Sequence, residues 1–182
     1  MHIITGKAGY LMGHLLPHIP LDGYCYHFGC PIDSSCPRNR ALLDQHLDDT
    51  LKIVKECRKK GLKLVYASSC EVVCPTGDTH YRTTKILAEA MMDPNKDLIW
   101  RIPRVYSIDR ARGLIPQLKM GNMPRPDNVI SWVHLDDFIE DFVSSLTTTG
   151  IRAYRGPVQF TKVKDIIRLL EERNRACNVL HQ

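Results

Sequence analysis

The sequence predicts an α/β fold built around a mostly parallel sheet, and three observations carry that expectation. Short β-rich apolar runs alternate with amphipathic helical stretches along the chain. The first run, "HIIT", passes straight into a glycine-rich turn, "GKAGYLMG", that opens a helix. The 182 residues, 43% hydrophobic and 25% charged, are enough for one globular domain with a sizeable core.

The elements follow in order. "MHIITGKAGYLMGHLLPHI" reads as a short buried strand, a glycine turn and a helix ended by Pro17 and Pro20. "YCYHFGCP" is a second short apolar run, read as a strand. The next stretch holds a long amphipathic helix, in which Leu43, Leu47, Leu51, Val54 and Cys57 fall near helical spacing and Gly61 caps the end. "LKLVYASS" is β-rich, and the loop from Cys70 to His80 carries Pro75 and Gly77. A helix starts at Tyr81 and stops near Pro94. "DLIWRIPRVYSI" is a strand whose end the proline makes irregular, and "GLIPQLKMGNMPRPDN" is loop-rich. "VISWVHL" is a strand, "DDFIEDFVSSL" a helix opened by acidic residues, "PVQF" a short strand and "KVKDIIRLLEERN" a final amphipathic helix.

The bulk numbers narrow the partners. The net charge of +5 is spread out, and its one basic cluster, Arg58–Lys59–Lys60, closes a helix where cations offset the dipole. No basic stripe predicts nucleic-acid binding, whereas a mild positive balance suits a phosphorylated small molecule. Cys25, Cys30, Cys36, Cys57, Cys70, Cys74 and Cys177 form neither a C-x-x-C pair nor zinc-ligand spacing, so the expectation is no metal and reduced thiols in a cytoplasmic protein. No apolar run approaches the roughly 18 residues of a membrane span. Gly6, Lys7 and Gly9 break any signal-peptide pattern.

In open parallel sheets, ligands bind beyond the carboxyl ends of the strands. That rule brings together Gly6–Gly13, Ser68–Glu71 and Arg104–Ser107, with the Tyr81 helix starting on the same rim. Tyr81 and Lys85 stand four apart on that helix. An ammonium beside a phenol favours the phenolate, and a tyrosine tuned in this way can exchange a proton with a substrate hydroxyl. The same pair also suits a wet helix face, along which both side chains lie. The glycine turn either lets the backbone approach a pyrophosphate or is an ordinary tight turn.

Seven segments, in order, resemble the extended short-chain dehydrogenase/reductase family of NAD-dependent nucleotide-sugar epimerases, dehydratases and decarboxylases. Thr5, Gly6 and Gly9 match its TGxxGxxG turn, with Tyr10, Leu11 and Met12 inside the match. "YHFGCP", which includes Gly29, is similar to its HLAA strand end, and Thr50 to the threonine of its N-x-x-G-T helix. "YASSCEVV" resembles S-[ST]-x-E-V-Y, Tyr81 and Lys85 match YxxxK, "RIPRVYS" resembles R-x-x-N-V-Y-G, and "WVHLDD" resembles the late segment ending in Val-Asp-Asp. The resemblance implies a Rossmann-like sheet with helices on both faces, NAD or NADP as cofactor, and a nucleotide-diphosphate sugar as substrate. It implies Tyr81 as acid/base, Lys85 on the nicotinamide ribose, Ser69 on the sugar hydroxyl, and Glu71 as a second acid/base. Gly6, Gly9, Tyr10, Leu11, Met12 and Gly29, with Tyr81 and Lys85, would line the cofactor. It also implies a homodimer through the helices near 42–60 and 81–92, using Leu43, Leu47, Leu51, Ile86 and Ala90.

The departures are as informative. Met12 stands at the third glycine of the turn, with Gly13 one place late. Only four residues, Pro20 to Gly23, separate "GHLLPHI" from "YCYHFGCP", so a strand–helix–strand unit, including the strand whose acidic end holds the adenosine ribose, is missing. Asp22 and Asp33 are the nearby acidic residues, and neither sits at a strand end. The loop between Ser69 and Tyr81 is trimmed, Arg104 and Ser107 replace the asparagine and glycine of N-V-Y-G, and Val73 replaces the tyrosine of E-V-Y. The expected organisation is a single shortened domain over 1–182, with 104–130 and 151–182 forming a reduced substrate side. There Arg104, Arg112, Lys119 and Arg125 are candidates to grip a diphosphate, or are solvated loop cations. Three readings stand: a trimmed NAD(P)-dependent nucleotide-sugar enzyme, a non-catalytic nucleotide-binding or interaction protein on the same scaffold, and a reductase of small carbonyl compounds, which "WVHLDD" disfavours.

Overall fold

A chain that returns through a helix re-enters a sheet in parallel. The computed structural model, which describes residues 1–29, 40–74, 79–110, 114–122 and 125–180, has that organisation. The chain runs β1 (Ile3–Thr5), α1 (Tyr10–Leu15), β2 (Tyr24–His27), α2 (Arg40–Lys60), β3 (Lys63–Ser69), α3 (Thr79–Ala90), β4 (Leu98–Ile102), β5 (Val105–Tyr106), α4 (Leu114–Lys119), β6 (Val129–His134), α5 (Leu135–Ser145), β7 (Gly150–Ala153), β8 (Gln159–Lys162) and α6 (Ile166–Leu180). It divides into two compact units, Met1–Ile102 with Ile139–Tyr154 and Pro103–Phe138 with Arg155–Gln182. Among the described residues no helix is long and apolar enough to cross a membrane.

The first unit holds a five-stranded sheet in the order β1-β2-β3-β4-β7, with every pair parallel. Strand residues alternate between its faces. On one face Cys25, Leu64, Tyr66 and Ile99 meet Val54 and Cys57 of α2 and Ala88 of α3. On the other, Trp100 packs 5.7 Å from Phe142 of α5 and donates its indole N–H to Ser145 Oγ at 2.7 Å. Helices thus cover both faces, as expected. Among the described residues β1 has no neighbour beyond β2's opposite side, so the sheet is trimmed where the sequence lacks a strand–helix–strand unit.

The buried stripe of α2 differs from the expected one. It runs Leu43, His46, Thr50, Val54, Cys57, while Leu51 is 39% exposed. Steps of three and four from Leu43 land on His46 and Thr50, and both polar side chains are accepted because each has partners in the interior. On α3, Thr84, Lys85 and Ala88 are buried, whereas Ile86 and Leu87 are exposed. Two ion pairs lock this side. Arg58, at the end of α2, binds both oxygens of the fully buried Asp97. Arg101 of β4 binds both oxygens of Glu89 on α3, which also accepts from Ser68.

"DLIWRIPRVYSI" is two strands rather than one. Pro103 cannot donate to a ladder, and β4 and β5 on either side of it belong to different sheets. In the second unit β5 pairs parallel with β6 and β6 antiparallel with β8. Its core joins Tyr106, Ile115, Leu118, Trp132, Val163, Ile166 and Leu170. The stretch read as loop contains α4, a short helix whose Pro116 sits in the first turn, where no N–H is needed. β7 has no counterpart in the expected elements, and β8 overlaps "PVQF" at Gln159 and Phe160 but is shifted two residues along the chain.

Candidate active site

The turn after β1 is glycine-dependent for internal reasons. Gly6 has φ +70°, and a Cβ there would lie 2.7 Å from the Phe28 carbonyl carbon. A Cβ at Gly9 would lie 2.9 Å from the Gly6 oxygen, to which Gly9 N–H donates at 2.8 Å. Gly13 has open space around it, so no steric demand acts there. Met12 is 1% exposed and its side chain belongs to the core, so it does not crowd the turn. Tyr10 and Leu11 are half-buried, and the Tyr10 ring lies 4.6 Å from that of His14. Lys7, Ala8 and Gly9 are exposed, leaving the turn's backbone open to an anionic ligand.

A hydrogen-bond chain ties this turn to α2, and its proton positions can be worked out. Thr50 Oγ1 donates its one proton to the His46 carbonyl at 2.7 Å. Thr50 must therefore accept from His27 Nε2–H at 2.8 Å. Burial, reinforced by the Lys85 ammonium and opposed by Asp49, lowers the His27 pKa to about 4, so the ring is neutral at pH 7. Its bare Nδ1 then accepts from Thr5 Oγ1 at 2.6 Å, and Thr5 Oγ1 accepts the Gly29 N–H at 3.0 Å. Gly29 thus spends its N–H inside the protein, fixing the end of β2 against the glycine turn.

The end of β3 and the start of α3 bring the expected acid–base residues into one unit. Ser69 is buried and accepts the Glu71 N–H at 3.2 Å, capping the 3₁₀ turn Cys70–Val72. Only a lone pair is used, so the Ser69 proton is left for another acceptor. Glu71 is half-buried. Tyr81 is half-buried in the first turn of α3, and Lys85 Nζ lies 5.8 Å from its ring centroid. Lys85 is 2% exposed and donates to the Ala67 carbonyl at 2.9 Å and to Tyr66 Oη at 3.3 Å. This excludes the wet-face alternative: Lys85 is an interior cation.

The remaining candidates belong to the second unit. Arg104 is half-buried, and its carbonyl accepts the Val133 N–H at 2.8 Å. Lys119 is exposed at the end of α4, and Arg125 is exposed with φ +51°. Arg112 lies outside the described residues. Sequence reasoning missed His27, His46 and Tyr66, which are polar residues on otherwise apolar faces, and His134. His134 is buried, accepts the Asp136 N–H on Nδ1 at 3.3 Å, and is held neutral chiefly by burial and the charge of Arg173. No group of three or more His, Cys, Asp or Glu among the described residues could hold a metal ion.

A parallel sheet with a glycine turn after its first strand, a serine at the end of a later strand, and a tyrosine and lysine on the next helix make up a Rossmann-like α/β fold. In fold the chain is similar to a hypothetical dTDP-4-dehydrorhamnose reductase from Sulfolobus tokodaii, at 13% identity and TM-score 0.68, over 95% of this chain and 82% of that one. It is also similar to dTDP-4-dehydrorhamnose reductase from Bacillus anthracis in complex with NADP, at 14% identity and TM-score 0.69, over 96% and 82%. UDP-N-acetylglucosamine 4-epimerase from Bacillus cereus follows at 11% identity and TM-score 0.66, over 91% and 82%. At these identities the likeness is one of fold. No family profile and no curated protein matches the chain in sequence.

Proposed function

We propose that the protein is an NAD(P)-dependent enzyme acting on a nucleotide-diphosphate sugar through Ser69, Tyr81 and Lys85. The observation that carries this reading is Lys85, a buried ammonium held over the Tyr81 ring and paired with no carboxylate among the described residues. Solved neighbours that are nucleotide-sugar reductases and epimerases, one of them bound to NADP, support the class. The cofactor, when bound, supplies a hydride acceptor or donor. The exposed backbone of Gly6–Gly9 suits the pyrophosphate, while the close approach of Gly6 to Gly29 keeps that turn rigid. Lys85 has one N–H beyond its two hydrogen bonds for a ribose hydroxyl, and its charge favours the Tyr81 phenolate. Tyr81 takes or returns the proton of the sugar hydroxyl at its phenol oxygen, and Ser69 orients that hydroxyl. Glu71 is the candidate second acid/base for an epimerase-, dehydratase- or decarboxylase-like step. The second unit is the proposed substrate side, where Arg104, Arg112, Lys119 and Arg125 would meet the diphosphate.

Exposed Leu51, Ile86 and Leu87 on α2 and α3 support a homodimer through these helices. Free Cys25, Cys57 and Cys74 accord with a reducing compartment such as the cytoplasm. A second reading, a weakened or non-catalytic nucleotide-binding protein, is favoured by β1 being an end strand among the described residues, on the side where the adenosine ribose would need a strand. Mass spectrometry of the small molecules released on denaturation, followed by assays with NADPH or NADH and dTDP-4-dehydrorhamnose and with NAD and UDP-glucose, separates the two. Turnover supports the enzyme; binding without turnover supports the second reading; neither binding nor turnover removes both.

A further inference from the structure

Lys85 Nζ is an ammonium with two acceptors, and one of them is conditional. The Ala67 carbonyl can only accept, whereas the Tyr66 hydroxyl carries a proton of its own. The Tyr66 oxygen presents a lone pair to Lys85 only if that proton is directed elsewhere. His46 Nε2 lies 3.2 Å from Tyr66 Oη, and His46, Tyr66 and Lys85 are each 2% exposed or less. We propose that His46 is a positioning residue for Lys85: its bare Nε2 takes the Tyr66 proton, which turns the Tyr66 oxygen into an acceptor for the ammonium. The chain then reads Lys85 N–H to Tyr66 O–H to His46 Nε2, each bond polarising the next.

The assignment leaves the remaining His46 proton on Nδ1, which is buried with no hydrogen-bond partner among the described residues, a cost that the bond to Tyr66 and the cation behind it must outweigh. Other observations agree with the direction of the chain. Burial, then the charge of Lys85, then His27 lower the His46 pKa to about 3, outweighing a smaller opposing effect of the Gly29 backbone, so the ring is neutral and able to accept. The Tyr66 ring itself lies 5.0 Å below the ammonium, which adds a cation–π contact on the same side. Thr50 holds the His46 backbone, and Thr50 is tied through His27 and Thr5 to the glycine turn. His46 therefore stands where two polar chains meet, one ending at the turn and one at Lys85.

The catalytic consequence rests on the function proposed above; the hydrogen-bond assignment does not, and the test keeps them apart. Histidine-selective 15N NMR of the full chain should find His46 with its proton on Nδ1 and Nε2 bare, and His27 with its proton on Nε2. Tyr66→Phe and Lys85→Met should each move the His46 Nε2 resonance and leave the His27 tautomer unchanged. In the double variant the two shifts should be non-additive, because Lys85 acts through Tyr66. In turnover, His46→Phe should lower kcat about tenfold, the loss of the one hydrogen bond that fixes the Tyr66 proton away from Lys85, and His46→Gln should restore most of it. A His46 proton on Nε2, or strictly additive shifts, overturns the inference. If wild type binds no dinucleotide, the function reading fails while the NMR result still decides the role of His46.

Discussion

Two cations meet α3 one turn apart and are treated differently. Arg101 of β4 grips both oxygens of Glu89, which Ser68 also bonds. Lys85 stands four residues before that same Glu89 and does not pair with it; its partners are a phenol, a carbonyl and a ring face. Glu89 is committed to the guanidinium, whose planar fork matches a carboxylate better than an ammonium does. The difference separates an ion pair whose charge is fully matched within the fold from a cation whose charge is only solvated by neutral groups. The second kind can still act on a phenol or a ligand.

The contrast is broken most severely at Tyr81. Tyr81→Phe keeps the ring and removes the hydroxyl, so nucleotide-sugar turnover should fall about 10²–10⁴-fold with little change in melting temperature. Steady-state kinetics beside a thermal melt reads both; equal activity in the variant removes the acid/base assignment. Next come the two cations. Glu89→Gln leaves the half-buried Arg101 without its counter-charge and should cost about 2 kcal/mol in urea unfolding. Lys85→Met should stay within about 1 kcal/mol of wild type, because an apolar side chain of similar volume replaces a charge that has no counter-ion to strand. It should nevertheless weaken dinucleotide binding and rate together. If both variants lose equal stability, Lys85 is structural.

A smaller effect follows from the buried histidines. His27 and His46 titrate near 4 and 3 in the folded chain, below the ordinary value of 6.5. Between these values the unfolded chain binds more protons, so stability is complete above about pH 6.5 and falls as pH drops towards 4. Two such groups set an upper slope of about 2.7 kcal/mol per pH unit. Urea midpoints at pH 7 and pH 5 should differ accordingly; identical midpoints would mean that neither imidazole is held neutral by burial. The smallest effect concerns cofactor choice. With no strand beyond β1 among the described residues to bind the adenosine ribose, each missing hydrogen bond costs about 0.5–1.5 kcal/mol. Calorimetry should show NAD and NADP bound within about tenfold of each other, and strict NAD selectivity at nanomolar affinity would place a ribose-binding group elsewhere.

Much of the first unit was legible because strand, turn and helix chemistry agree along the chain. The glycine turn, the apolar run ending at Ser69 and the Tyr81–Lys85 spacing each stand where residue-level rules put them. What α2 conceals has one cause. His46 and Thr50 are buried because their partners Tyr66 and His27 come from other strands and cannot be seen from within the helix. α4 was hidden by Pro116, which reads as a breaker but is harmless in a first turn. The split at Pro103 was visible as an irregularity, but which sheet each half joins is a tertiary fact.

The sheet order has a kinetic consequence. In a doubly wound sheet the strand order reverses, so some neighbours are distant in sequence. Here β1, β2, β3 and β4 lie side by side in the order in which they are made, and only β7 arrives from further along. Each new strand closes a single strand–helix–strand loop onto the one before it, which keeps contact order low and the entropic cost of each closure small. A chain emerging from the ribosome could lay down this sheet one strand at a time, with residues up to Ile102 pairing before the second unit has been synthesised.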